Sequence, residues 1–183
     1  ALNGEAPFTS AIPMESMCQA FGFVSWMLPI ITTADKGITS YEELEGKTVA
    51  FPQQGSASAE VMKILFDCYG LTGKVNIEYF GWSDAWEALK DGRVDAACGS
   101  WSNGIPASGI IELCTTRDLV ILPMSEEVGE KLHAANDGIA YQAMTNANDS
   151  SIPEGEVRYA ARNSGVCVFG ANVSEEAVYT FVK

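Results

Sequence analysis

Residues 47–70 read Lys-Thr-Val-Ala-Phe-Pro-Gln-Gln-Gly-Ser-Ala-Ser-Ala-Glu-Val-Met-Lys-Ile-Leu-Phe-Asp-Cys-Tyr-Gly, and this stretch decides the fold class. Lys47 to Phe51 is short, apolar and β-prone, and Pro52 closes it because proline cannot continue a ladder. A polar loop of small residues, Gln53 to Ser58, follows. From about Ala59 to Tyr69 the apolar residues Val61, Met62, Leu65, Phe66 and Tyr69 recur at three- and four-residue spacing, which is one face of a helix, and Gly70 stops it. Strand, loop and helix in this order form half of a βαβ unit.

The same rhythm extends outward. Towards the N-terminus, Leu28 to Thr33 reads as a buried strand. Ser40 and Glu43 make a capping box for a short helix over Tyr41 to Leu44, which Gly46 ends. Towards the C-terminus come a strand over Val75 to Phe80, a Ser83-capped helix through Leu89 and a strand over Val94 to Cys98. A loop over Gly99 to Gly104 leads to a helix opened by Pro106 and running to Cys114. Leu119 to Leu122 is a strand, and Ser125 begins a helix through Leu132. Asn136 to Gly155 is loop-rich, Val157 to Tyr159 and Val166 to Phe169 are strand-like, and Ser174 caps a final helix. Alternating strands and helices predict an α/β fold with mainly parallel sheets.

Composition narrows the function. The 183 residues carry 11 basic and 24 acidic side chains, a formal net charge of -13. Such a surface repels phosphate backbones, and no Lys/Arg cluster opposes this locally, so nucleic-acid binding is excluded. The longest apolar stretch, Phe21 to Ile31, is interrupted by Gly22, Ser25 and Pro29 and is too short for direct membrane insertion. The five cysteines, Cys18, Cys68, Cys98, Cys114 and Cys167, show no CxxC pair and fit no zinc or iron–sulfur spacing. Each is expected to be a buried small apolar residue. Asp84, Asp91 and Asp95 fall on a cap, a turn and a strand, so no metal site is expected. His133, the single histidine, has no evident catalytic partner. With no P-loop, dinucleotide fingerprint or nucleophile elbow, the expectation is a protein without cofactor that is not an enzyme.

Two loops remain as binding candidates, because ligands of open α/β sheets sit beyond the carboxyl ends of the strands. In the first, Gly55 permits close approach, Ser56 and Ser58 supply hydroxyl donors, and Gln54 lies beside them; the set suits a carboxylate. The competing reading is an ordinary turn with Ser58 as N-cap. In the second, Ser100 offers a donor, Trp101 a flat wall, Asn103 an amide and Gly104 room for close approach. The competing reading packs Trp101 between lobes.

The segment Gly37-Ile38-Thr39-Ser40-Tyr41-Glu42-Glu43-Leu44-Glu45-Gly46-Lys47-Thr48-Val49-Ala50 resembles the opening of the second lobe of periplasmic binding proteins of type II. Gly55-Ser56-Ala57-Ser58, Leu89 to Ala96, Gly104-Ile105-Pro106, Ile111-Glu112-Leu113, Ile152 to Val157 and Val178-Tyr179 resemble, in order, the TAXI family of TRAP-transporter receptors. The chain departs from that family at Ala57, where glycine is usual, and at Pro52. The resemblance implies periplasmic-binding-protein-like lobes with hinge crossings. Residues 1–37 would be a remnant of the first lobe and hinge, 38–135 the second α/β lobe, and 136–183 the return hinge and first-lobe elements. It further implies a monomer that is periplasmic or extracytoplasmic, with a lipid anchor in the full-length protein. Such a receptor closes on an amino acid or dicarboxylate and passes it to TRAP-type permease subunits. The competing expectations are a ligand-sensing domain of a regulator and an enzyme on the same fold, the latter with Cys98 as its reactive group.

Overall fold

The computed structural model describes residues 17–183. The chain divides into two compact units, one made of residues 1–25 and 164–183 and the other of residues 26–163.

The larger unit is built on a five-stranded sheet. Its strands are β2 (Ile30–Thr33), β3 (Thr48–Pro52), β4 (Asn76–Phe80), β5 (Ala96–Cys98) and β8 (Leu119–Ile121), in the order β4-β3-β5-β2-β8. β3 runs parallel to both β4 and β5, whereas β2 is antiparallel to β5 and β8. Both faces are covered, so the strands alternate between two cores. Ile30, Val49, Phe51, Ala96 and Cys98 point into one, and Ile31, Ala50, Ala97 and Ile121 into the other. The first core lies under α1 (Ala57–Cys68) and α4 (Glu126–Ala135). The second lies under α2 (Trp82–Lys90) and α3 (Ser108–Cys114).

The helical stripe read from the sequence is the one buried: Val61, Met62, Leu65 and Phe66 are all under 5% exposed. Phe66 meets Phe51 edge-on at 4.9 Å, and Tyr41 stacks on Tyr69 at 4.2 Å. The Ser40–Glu43 box forms by half. Glu43 accepts the backbone N–H groups of Thr39 and Ser40 at 2.6 and 3.3 Å, which holds its carboxyl below the ordinary value, yet the turn it closes is a single 3-10 turn over Glu42–Leu44.

The expected mainly parallel character holds for only two of the four pairings of the first sheet, because β2 enters it antiparallel, and the second sheet adds further antiparallel pairs. It joins β1 (Met17–Leu28), β6 (Trp101–Ser102), β7 (Ile105–Pro106), β9 (Ala140–Met144) and β10 (Arg158–Gly170) in the order β7-β6-β1-β10-β9. The pairs β1–β6, β6–β7 and β9–β10 are antiparallel. The expected Leu28–Thr33 strand is broken at Pro29, which separates β1 from β2. The two strand-like runs near the C-terminus are one strand, β10, and the region expected as loop contains β9. Pro106 lies in β7 rather than opening a helix, and α3 starts after Ala107. α2 is capped by Gly81, one residue before it begins, and not by Ser83.

In the smaller unit, α5 (Glu175–Val182) is capped by Ser174, whose Oγ accepts the N–H of Ala177 at 3.2 Å as the sequence suggests. Phe181 stacks on Phe21 at 6.4 Å and meets Phe169 edge-on at 5.3 Å. Among the described residues, no helix is long and apolar enough to cross a membrane.

Candidate functional site

Because β3 and β5 are parallel neighbours, with Val49 beside Ala96 and Ala50 beside Ala97, the loops that follow them leave the same edge of the sheet. That is the carboxyl edge at which helix N-termini point their free N–H groups.

The first loop carries the more complete set of donors. Gly55 has φ +81, a left-handed conformation that a side chain would strain, and open space stands where its Cβ would be. The chain thereby turns into α1. Ser56 is the N-cap: its Oγ accepts the N–H of Ala59 at 3.2 Å, and its carbonyl accepts the N–H of Glu60 at 3.2 Å. The cap is therefore Ser56 and not Ser58. Ser58, the second residue of α1, accepts a hydrogen bond at 3.3 Å from Nδ2 of Asn163 on β10.

A hydroxyl has one proton and two lone pairs. Both serines use a lone pair internally, which leaves each O–H proton to be given to something else. The N–H groups of Ala57 and Ser58 belong to the first turn, which has no intrahelical partner to offer them. Two hydroxyls and two backbone N–H groups thus lie at the N-terminal end of α1, the positive end of the helix dipole, where an anion is favoured. Gln54 is exposed beside them.

The second loop is different from the expectation. Asn103 and Gly104 have φ +50 and +86, so they are the two central residues of a tight turn joining β6 to β7. The Asn-Gly pair is the strongest short hairpin signal, and it explains Gly104 without any ligand. Trp101 is fully buried in the second core, with its ring against Gly99, rather than forming an open wall. Its indole N–H finds no acceptor among the described residues. Ser100 is 8% exposed, and its carbonyl accepts the N–H of Ala107 at 3.0 Å. The sheet brings the two loops to one edge, but in the second loop Ser100 and Trp101 are buried, and the exposed residues are Ser102 and Asn103 of the hairpin.

Asn163 is the residue the sequence reading missed. It stands 105 positions from Ser58, and no local motif marks it. Asp95 proves structural: its carboxylate holds Thr48 and Lys36. His133 has a partner after all, with Nδ1 2.7 Å from the carbonyl oxygen of Ile139. Only Cys98 of the five cysteines is fully buried, and burial pushes its thiol far above the ordinary value; Cys18 and Cys114 are exposed. The cleft of about 230 Å³ between α2 and α3 is lined by Trp86, Glu87, Lys90 and Glu112, and Lys90 is already engaged by Glu112 at 3.5 Å.

The fold and this loop define an α/β sheet covered on both faces with a strand–helix turn rich in hydrogen-bond donors at its carboxyl edge. The chain belongs to the NMT1-like family, whose model matches residues 1–183. No curated protein matches it. Solved structures of similar fold include the periplasmic aliphatic sulphonate binding protein from Escherichia coli, 18% identical over 67% of this chain and 45% of that one, with a TM-score of 0.45. A periplasmic binding protein of an ABC transporter from Brucella ovis, with glutathione bound, is 19% identical over 60% of this chain and 33% of that one, with a TM-score of 0.43. The substrate binding protein of an amino acid ABC transporter is 19% identical over 96% of this chain and 58% of that one, with a TM-score of 0.46. The chain spans between 33% and 58% of the length of these structures.

Proposed function

We propose that the protein is an extracytoplasmic solute receptor that holds a small carboxylate, an amino acid or a dicarboxylate, and delivers it to a membrane transporter. The observation that carries this reading is the hydrogen-bond state of the first loop. Ser56 and Ser58 each accept a bond from the protein, so each has a proton left to donate beside the free N–H groups of the α1 N-terminus. Gly55, Ser56 and Ser58 hold the carboxylate, with Gln54 at the rim and Ser100 on the neighbouring loop. Trp101 supports that loop from the core, and Gly104 turns it. The net charge of -13 does not oppose an anionic ligand, because the local donors act at contact distance while surface charge is screened over about 8 to 10 Å.

The TAXI-like motifs of the sequence support a TRAP-type permease as the partner and the periplasm as the compartment. In this reading residues 38–135 form the ligand-holding lobe, and the flanking segments carry the hinge. The receptor works as a monomer and without catalysis; the burial of Cys98 weighs against an enzyme built on that thiol.

The test is native mass spectrometry of the purified protein, followed by denaturation to identify what is released. One amino acid or dicarboxylate per chain supports the proposal. A protein that arrives empty and binds no member of an amino-acid and dicarboxylate panel in calorimetry refutes it.

A further inference from the structure

Asn163 carries an inference that deepens this reading and rests on it. The residue is the last of the larger unit, at the point where β10 leaves it, and its carboxamide reaches a helix 105 positions earlier in the chain. Its Nδ2 donates to Ser58 Oγ at 3.3 Å. That direction matters. A serine hydroxyl left to itself on the first turn of a helix can rotate and spend its proton on a nearby carbonyl or on water. With a lone pair occupied by an amide N–H, the hydroxyl proton is turned away from Asn163 and is left as a donor. Accepting a bond also polarises the O–H, which strengthens the bond it then gives.

We propose that Asn163 is a positioning residue that keeps Ser58 in the donor state and thereby makes the site selective for anionic oxygen. A carboxylate can only accept hydrogen bonds. A ligand group that must itself donate, such as an ammonium or an amide nitrogen, is left only the second lone pair of each hydroxyl and is disfavoured there. Ser56 is held in the same sense by the N–H of Ala59, so two hydroxyls separated by one residue are both committed as donors, one by the helix backbone and one by β10.

Aspartate at position 163 reverses this logic while keeping the size of the side chain. Ionised, it can only accept, so Ser58 must turn its proton towards position 163, and a second negative charge then faces the ligand. Protonated, it again offers a donor to Ser58 Oγ. Three calorimetric titrations test the proposal, with L-glutamate and succinate as probes. Asn163→Ala should weaken binding roughly 3- to 10-fold, the loss of one neutral hydrogen bond. Asn163→Asp should weaken it at least a further 10-fold near neutral pH and recover toward the wild-type affinity as the pH is lowered to about 5. In a Ser58→Ala background, Asn163→Ala should have no further effect, because the residue acts through Ser58.

Thermal unfolding of each variant checks that it folds; if Asn163→Ala does not, the pH profile of Asn163→Asp decides alone. Wild-type binding with an Asn163→Asp profile that follows the wild type overturns the inference and leaves the carboxylate site standing. Equal losses from Asn163→Ala with and without Ser58 overturn it as well. A wild-type protein that binds neither probe nor any other carboxylate overturns both the inference and the reading beneath it.

Discussion

Asp95 and Thr48 hold each other by two hydrogen bonds: Asp95 Oδ2 accepts the backbone N–H of Thr48 at 2.9 Å, and the backbone N–H of Asp95 donates to the Thr48 carbonyl at 2.8 Å. The same aspartate reaches further. Its carbonyl accepts the hydroxyl of Thr32 at 2.7 Å, and Oδ1 accepts Lys36 Nζ at 3.3 Å. One residue thus aligns the start of β3, the approach to β5 and the end of β2.

Replacing that carboxylate should destabilise the larger unit. Asp95→Ala leaves the Thr48 N–H without its partner and should cost about 1–3 kcal/mol in denaturant unfolding. Asp95→Asn keeps an acceptor and should cost less. Burial raises the Asp95 carboxyl, but the bond from Thr48 and the ammonium of Lys36 together outweigh it, so the net shift is downward. A depressed folded value stabilises wherever the unfolded carboxyl is ionised. The contribution is therefore complete above the ordinary value of 3.8 and is lost as the pH falls through the lowered one. The stability difference between wild type and Asp95→Asn should shrink on acidification through that range; a constant difference would refute the assignment.

Ser56 has two duties that one pair of variants separates. Ser56→Ala removes the N-cap of α1 and should lower stability by about 0.5–2 kcal/mol whether or not a ligand binds there. Ser56→Asp caps the helix as well as serine does and suits its dipole, yet it cannot donate and it repels a carboxylate. It should unfold like the wild type and fail to bind glutamate or succinate. Retained affinity in Ser56→Asp would remove Ser56 from the site.

Gly109 lies against Trp86, where an added Cβ would stand 2.5 Å from Cε3 of the indole. The ring cannot yield easily, because it is 5% exposed and its Nε1 donates to the Cys98 carbonyl at 3.0 Å. Gly109→Ala should therefore cost about 1–3 kcal/mol, as overpacked cores do, and should alter the tryptophan fluorescence. Unchanged stability would mean that α2 and α3 can part at no cost.

The thiols should react in an order set by exposure. Cys18 and Cys114 are exposed, whereas Cys98 is buried and pushed strongly toward the neutral thiol. Alkylation of the native protein followed by peptide mapping should modify Cys18 and Cys114 and spare Cys98 until denaturant is added. Rapid native labelling of Cys98 would reopen the enzyme reading.

The hairpin turn gives the last test. Gly104 stands at φ +86, so Gly104→Ala should destabilise the β6–β7 hairpin by about 1 kcal/mol. Under the present assignment it should leave carboxylate affinity unchanged. A large affinity loss in a folded Gly104→Ala protein would return that loop to the binding surface.

Elements with strong local periodicity were legible in the chain. The α1 stripe and the Ser125 and Ser174 caps stand where their residues suggest, because caps and amphipathic faces are made by neighbours within a turn or two. β3 is shifted by one residue and takes in Pro52, which pairs with Phe80 instead of ending the strand before it. The Asn103-Gly104 pair is itself a local hairpin signal, whereas the burial of Trp101 beside it depends on distant strands. Pro29 and Pro106 were misjudged because proline is equally at home beside a strand break, on an edge strand and in the first turn of a helix.

By itself the sequence determined the α/β class, the acidic surface and the donor-rich loop after β3, all of which follow from composition and short-range pattern. Tertiary structure alone decided that Trp101 belongs to the core, that β9 pairs antiparallel with β10 and β6 with β1, and that Asn163 meets Ser58. Those outcomes depend on which distant strands pair and which faces they bury. Such pairings join residues as far apart as 58 and 163, and no local spacing encodes them.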